Sequence, residues 1–122
     1  MRVPMPVLIV ARPGPLRDSL VTLLKSFPQV STVEQATTAT SALKTVESKR
    51  PALVLVDSSL PGDEAWTVLK QLKAWRPPVR CVVLSETVQH YRQAEAAGAS
   101  RAILTGIPAP KLSVTLEGLL GS

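Results

Sequence analysis

Residues 51–73 read PALVLVDSSLPGDEAWTVLKQLK. Apolar residues run unbroken from Ala52 to Val56 and stop at Asp57, the pattern of a strand covered on both faces. The SSLPGDE that follows is turn chemistry, after which Ala65, Val68, Leu69 and Leu72 recur at helical spacing. A buried strand, an acid at its end, a turn and an amphipathic helix make one unit.

The rest of the chain repeats that alternation without repeating its sequence. Short apolar runs stand at Val7–Val10, Val30–Val33, Val79–Leu84 and Ala102–Leu104, several rich in valine and all too short for helices. Between them lie helical stripes. Leu16, Leu20, Leu23, Leu24 and Phe27 form one; Ala39, Ala42, Leu43 and Val46 form another; Leu112, Leu116, Leu119 and Leu120 form the last. Thr87–Ala97 carries a weaker stripe in Val88, Tyr91 and Ala94. Punctuation agrees, because Pro28, Pro51, Pro77 and Pro78 each follow a stripe and Gly98 ends the fourth. Thr37 or Thr38 is placed to cap the second helix, and Pro110 to open the fifth. The expectation is an α/β fold, (βα)5, in one domain over residues 1–122, with right-handed crossovers giving a parallel sheet between two helical layers.

The totals narrow the function classes. With 45% apolar and 19% charged residues in 122, the chain has enough apolar surface for a core and is not a disordered tail. No apolar run reaches the roughly 18 residues of a membrane span, and Pro4 and Pro6 break any signal-peptide pattern, so a cytoplasmic location is expected. Cys81 is the only cysteine and falls in a strand, where it reads as a small buried hydrophobe. The net charge of +5 comes from scattered cations with no run and no interleaved aromatics, so direct nucleic-acid binding is not expected.

In a parallel sheet, ligands meet the carboxyl ends of the strands. The loops that matter are then Ala11–Gly14, Asp57–Glu64, Ser85–Thr87 and Thr105–Pro108. Asp57 is the sharpest candidate, a carboxylate at a strand end that suits a nucleophile or a ligand to a cation. Ser85 ends VRCVVLS and faces the same crevice. The one histidine, His90, falls within the fourth helix and reads as a surface residue. Neither a Walker loop nor G-x-G-x-x-G is present, so nucleotide phosphates lack their usual grip, and no catalytic arrangement is legible; the chain does not read as an enzyme.

PALVLVDSSLPGDEAWTVLKQLK, VRCVVLS and EAAGASRAIL together resemble the receiver domains of two-component response regulators over essentially the whole chain. The resemblance implies a CheY-like, flavodoxin-like three-layer fold with strand order 2-1-3-4-5. It places Asp57 at the phosphoacceptor position and Ser85 at the position that contacts the phosphoryl group. The family's pair of Mg²⁺-holding acids is substituted by Ala11 and Arg12, its lysine by Thr105, and its switch aromatic by Ala102.

Those substitutions imply an atypical site. Three carboxylates and a lysine in the family pattern leave a charge of about −2 for Mg²⁺ to neutralise. Here Asp57 and Arg12 alone sum to zero, so Mg²⁺ binding is expected to be weak or absent and no other cofactor is implied. By sequence Arg12 has two courses open, pairing with Asp57 to fill the pocket from within or pointing to solvent as a surface cation. The expected role is a phosphorylation-independent protein–protein interaction module in two-component or phosphorelay signalling. Its partner would be a histidine kinase, an output domain or another signalling protein, or a second copy in a homodimer. The family's contact surface of fourth helix, fifth strand and fifth helix would here present Gln89, Arg92, Arg101 and Lys111. Two alternatives stay open: a conventional receiver phosphorylated at Asp57, with Asp63 or Glu86 serving a displaced metal, and a small-anion or nucleotide binder built on Arg12, Gly14 and Arg17.

Overall fold

The computed structural model describes residues 5–75, 79–106 and 109–121. Pro4, Pro77, Pro78 and Pro108 lie outside the described residues. The strands are β1 (Met5–Val10), β2 (Val30–Ala36), β3 (Leu53–Asp57), β4 (Cys81–Ser85) and β5 (Arg101–Leu104). They alternate with α1 (Pro15–Lys25), α2 (Ala39–Lys49), α3 (Glu64–Ala74), α4 (Val88–Ala96) and α5 (Ala109–Gly121). All pairings are parallel and the sheet order is β2-β1-β3-β4-β5, as the resemblance implies.

Strand geometry sends alternate side chains to opposite faces, and the core divides accordingly. Leu8, Val10, Val54, Val56, Cys81 and Val83 pack with α2, α3 and α4. Val7, Ile9, Leu53, Leu55, Val82 and Leu84 pack with α1 and α5. Trp66 and Trp75 both lean on the first of these clusters, and the Arg50 guanidinium lies 5.2 Å from the Trp75 ring centre.

Helix ends follow local chemistry. Thr38 caps α2, with its Oγ1 accepting from Ser41 N at 3.1 Å and Ser41 Oγ accepting from Thr38 N at 3.3 Å. The Glu64 carboxylate accepts from Ala39 N, tying the first turn of α3 to that of α2. Thr87 caps α4 by accepting from His90 N at 3.0 Å. Beyond α4, Gly98 takes φ +85°, a left-handed conformation that glycine adopts at little cost. β2 runs three residues past its apolar run, to Ala36, because an edge strand needs only one partner and tolerates polar residues. Among the described residues, no helix is long and apolar enough to cross a membrane.

Cys81 is buried as the sequence suggests, and burial pushes its thiol up from 9.0 to about 12. Above pH 9.0 the unfolded chain gives up this proton while the folded one holds it, so Cys81 draws stability down as pH rises toward about 12. At neutral pH a thiol-specific dye is expected to leave Cys81 unlabelled in the native protein and to react fully in denaturant. Rapid native labelling would show that the strand opens.

Candidate functional site at the carboxyl edge of the sheet

Parallel register brings the sequence candidates to one edge. Val10 pairs with Val56 and Asp57 with Leu84, so the ends of β1, β3 and β4 lie side by side. Asp57 is 7% exposed and Ser85 is fully buried, which sets both below the rim. The Asp57 Oδ1 accepts from Ser59 N at 2.9 Å, so one carboxylate oxygen shapes its own turn. Ser85 contributes backbone more than side chain. Its carbonyl accepts from Thr105 N at 3.0 Å, while its hydroxyl is buried without a hydrogen-bond partner.

Arg12 takes the solvent course. It is exposed, and among the described residues no ion pair joins it to Asp57. The pocket is not filled from within by that side chain. The loop after β1 is instead held by Arg17, whose Nη1 donates to the Ala11 carbonyl at 3.2 Å and to Thr37 Oγ1 at 3.4 Å. Helix side chains lean toward the helix N-terminus, so a residue in the first turn of α1 reaches back over the loop that precedes it. Ala11 is buried in the core on the α1 and α5 side.

His90 departs from the expectation, because it is half-buried and not simply a surface residue. Its Nδ1 lies 3.0 Å from Ser58 Oγ, and its ring meets Trp66 edge to face with centres 6.0 Å apart. Ser58 Oγ also accepts from Glu86 N at 3.1 Å, and Ser58 N donates to the Leu84 carbonyl at 2.9 Å. The residue beside Asp57 therefore joins the turn after β3, the turn after β4 and the first turn of α4. Sequence reading missed this junction, since Ser58 and His90 are far apart in the chain. The available signal was a buried-strand end followed by a hydroxyl, with a histidine three residues past the Thr87 cap.

The remaining positions lie around this edge. Thr105 is exposed, and Ala102 sits in a groove of about 280 Å³ lined by Tyr91, Arg101, Leu104, Lys111 and Thr115 among others. Glu86 is exposed, and Asp63 borders a separate depression with Glu64 and Thr40. Among the described residues no group of three or more His, Cys, Asp or Glu side chains is gathered as a metal ion requires.

A strand-end aspartate below the rim of a 2-1-3-4-5 sheet, with a serine at the end of the next strand, is the geometry against which known families can be compared. Residues 7–117 match the response regulator receiver domain. The chain belongs to that family. Solved receivers share its fold. A CheY-like receiver domain protein from Methanospirillum hungatei JF-1 is 23% identical over 98% of this chain and 95% of its own, with a TM-score of 0.81. The response regulatory domain of mrkE from Klebsiella pneumoniae is 17% identical over 96% of each chain, with a TM-score of 0.84. A LuxR-family DNA-binding response regulator from Staphylococcus aureus is 17% identical over 95% of this chain and 98% of its own, with a TM-score of 0.81. No curated protein sequence matches the chain.

The unpartnered hydroxyl in this receiver makes a prediction about stability. A buried polar group without a partner costs about 1–3 kcal/mol. Ser85→Ala is therefore expected to raise stability by about 1 kcal/mol, read as a higher urea midpoint with an unchanged slope. A clear loss of stability would mean that the hydroxyl has a partner in solution.

Proposed function

We propose that this receiver works mainly as a phosphorylation-independent docking module in two-component signalling, with no metal-dependent cycle at Asp57. The observation that carries the reading is the charge around Asp57. One carboxylate, with one oxygen engaged by Ser59 N, stands beside a loop of Ala11 and Arg12 in which the acids of the family pattern are missing. Such a set does not fit Mg²⁺, which takes near-octahedral oxygen ligands and usually one or two carboxylates together with phosphate oxygens. Arg12 adds a repulsive cation on the same loop. The module is not an enzyme in this reading, and it needs no cofactor.

The docking surface is that of α4, β5 and α5. Gln89, Arg92, Arg101 and Lys111 are all exposed, and the groove over Ala102 gives their cations an apolar neighbour. A protein partner with an acidic patch fits that surface, whether histidine kinase, output domain or another signalling protein. With alanine in place of the switch aromatic and threonine in place of the lysine, the usual route from phosphate to this surface lacks two of its parts.

A second reading draws support from Ser85. An unpartnered buried hydroxyl at the end of β4, beside a buried Asp57, keeps the two phosphoryl-facing positions of the family pattern together. It would make the chain a conventional receiver with an altered metal site.

Backbone-amide NMR with Mg²⁺, and then beryllofluoride added as phosphoryl mimic, separates the two. The docking reading expects no saturable shifts at Asp57 and Ser85. Saturable shifts there that spread to α4 and β5 would establish the second reading in its place. For the docking surface, Arg101→Glu with Lys111→Glu is expected to slow association with an acidic partner roughly tenfold or more at low salt, the gap closing as salt is raised. An on-rate that ignores both charge reversal and salt would move the interface elsewhere.

A further inference from the structure

β5 closes one edge of the sheet, and among the described residues no strand covers its outer side. The groove of about 280 Å³ over Ala102 runs along that edge, between α4 and α5. All four residues of β5 line it, together with Tyr91 from α4 and Lys111 and Thr115 from α5. Ala102 carries only a methyl group, so the space above the middle of the strand stays open. Its volume lies just below the range of about 300–1,000 Å³ typical of small-molecule sites. It suits one large side chain better than a whole ligand.

The lining selects the chemistry of an occupant. Tyr91 is half-buried and packed against the core, so its ring is a fixed wall. Ala102 and Leu104 share one face of the strand and add apolar surface. Val114, one turn from Lys111 on α5, is 71% exposed and extends that surface beyond the groove. Arg101 and Lys111 are exposed, and among the described residues neither enters an ion pair. No carboxylate lines the groove, and Glu95, four residues beyond Tyr91 on α4, pairs with neither cation. A second copy seated here about a two-fold axis would set these cations against themselves, so like charge disfavours that occupant.

We propose that the groove over Ala102 receives an aromatic side chain from an acidic linear segment of the partner, the ring against Tyr91 and the flanking carboxylates on Arg101 and Lys111. The proposal rests on the docking reading above and names the anchor that the surface takes. An aromatic ring is a large apolar group with few rotors, the kind of side chain that dominates binding when it fills a pocket. Offset or edge-to-face contact with Tyr91 orients it, and the Arg101 guanidinium can pair a carboxylate through two parallel hydrogen bonds. The cations set the charge of the segment and the groove sets which of its residues enters.

The test is a titration of the ¹⁵N-labelled 122-residue chain with a terminally blocked peptide, one phenylalanine flanked on each side by two aspartates. Saturable amide shifts are expected at Tyr91, Ala102, Leu104, Lys111 and Thr115 without Mg²⁺ or beryllofluoride. The same peptide with alanine for phenylalanine is expected to bind about tenfold more weakly, and one with lysines for aspartates to give no saturable shift. Ala102→Leu fills the groove and is expected to bring the phenylalanine peptide down to the affinity of the alanine one. An affinity unchanged by Ala102→Leu, or no saturable shift at about 5 mM peptide, would overturn the groove as the seat of the ring. Equal binding of the lysine peptide would overturn the role of Arg101 and Lys111. Shifts at Gln89 and Arg92 that do not distinguish phenylalanine from alanine would keep the docking surface and overturn the anchor. Binding that requires Mg²⁺ and beryllofluoride would keep the anchor and overturn phosphorylation independence.

Discussion

The central strands β1, β3 and β4 bury both of their faces, and the rest of the molecule is arranged around that requirement. A strand with no wet side must be covered by helices above and below, which a chain achieves by crossing over after every strand. Each fully buried Val or Leu contributes about 1.5–3 kcal/mol relative to exposure, so a slip that exposed one face would cost many times the net stability of a domain. Polar chemistry is thereby expelled to the strand ends. Asp57 and Ser85 occupy the last positions of β3 and β4, and both stay buried because the flanking turns close over them.

Electrostatics at that edge are settled by which arginine reaches inward. Arg17, from the first turn of α1, spends hydrogen bonds on the Ala11 carbonyl and Thr37, while Arg12 remains in solvent. Backbone carbonyls are fixed acceptors, so Arg17 braces the loop through a contact that needs no partner carboxylate. Among the described residues no cation pairs with Asp57. The loop that follows β1 is a mechanical part of this receiver, and its positive charge is a property of the rim.

Much of the fold was legible because valine and leucine runs bounded by proline and glycine leave few arrangements open. The limits of β2 were less so, since Ser31, Thr32, Glu34 and Gln35 interrupt its apolar pattern and only pairing with β1 holds it. Asp57 and Ser85 were readable as strand ends, and the sheet order came from resemblance to a family, not from the residues. Arg17 went unread as the inward arginine because adjacency in sequence drew attention to Arg12, whereas the lean of helix side chains favours Arg17. The Ser58–His90 contact was invisible for a different reason. It depends on how far the start of α4 overlaps the turn after β3, and that is set by packing across the sheet, with no local pattern to announce it.

The junction at Ser58 has a consequence for the imidazole itself. A hydroxyl has one proton to give, and Ser58 Oγ already accepts from Glu86 N. When its own proton goes to His90 Nδ1, that ring nitrogen acts as the acceptor. In that arrangement neutral His90 carries its hydrogen on Nε2, with a single donor on the ring's other edge. The direction of one bond to a buried serine beside the phosphoacceptor position thus decides whether the first turn of α4 offers a donor or an acceptor to whatever approaches it.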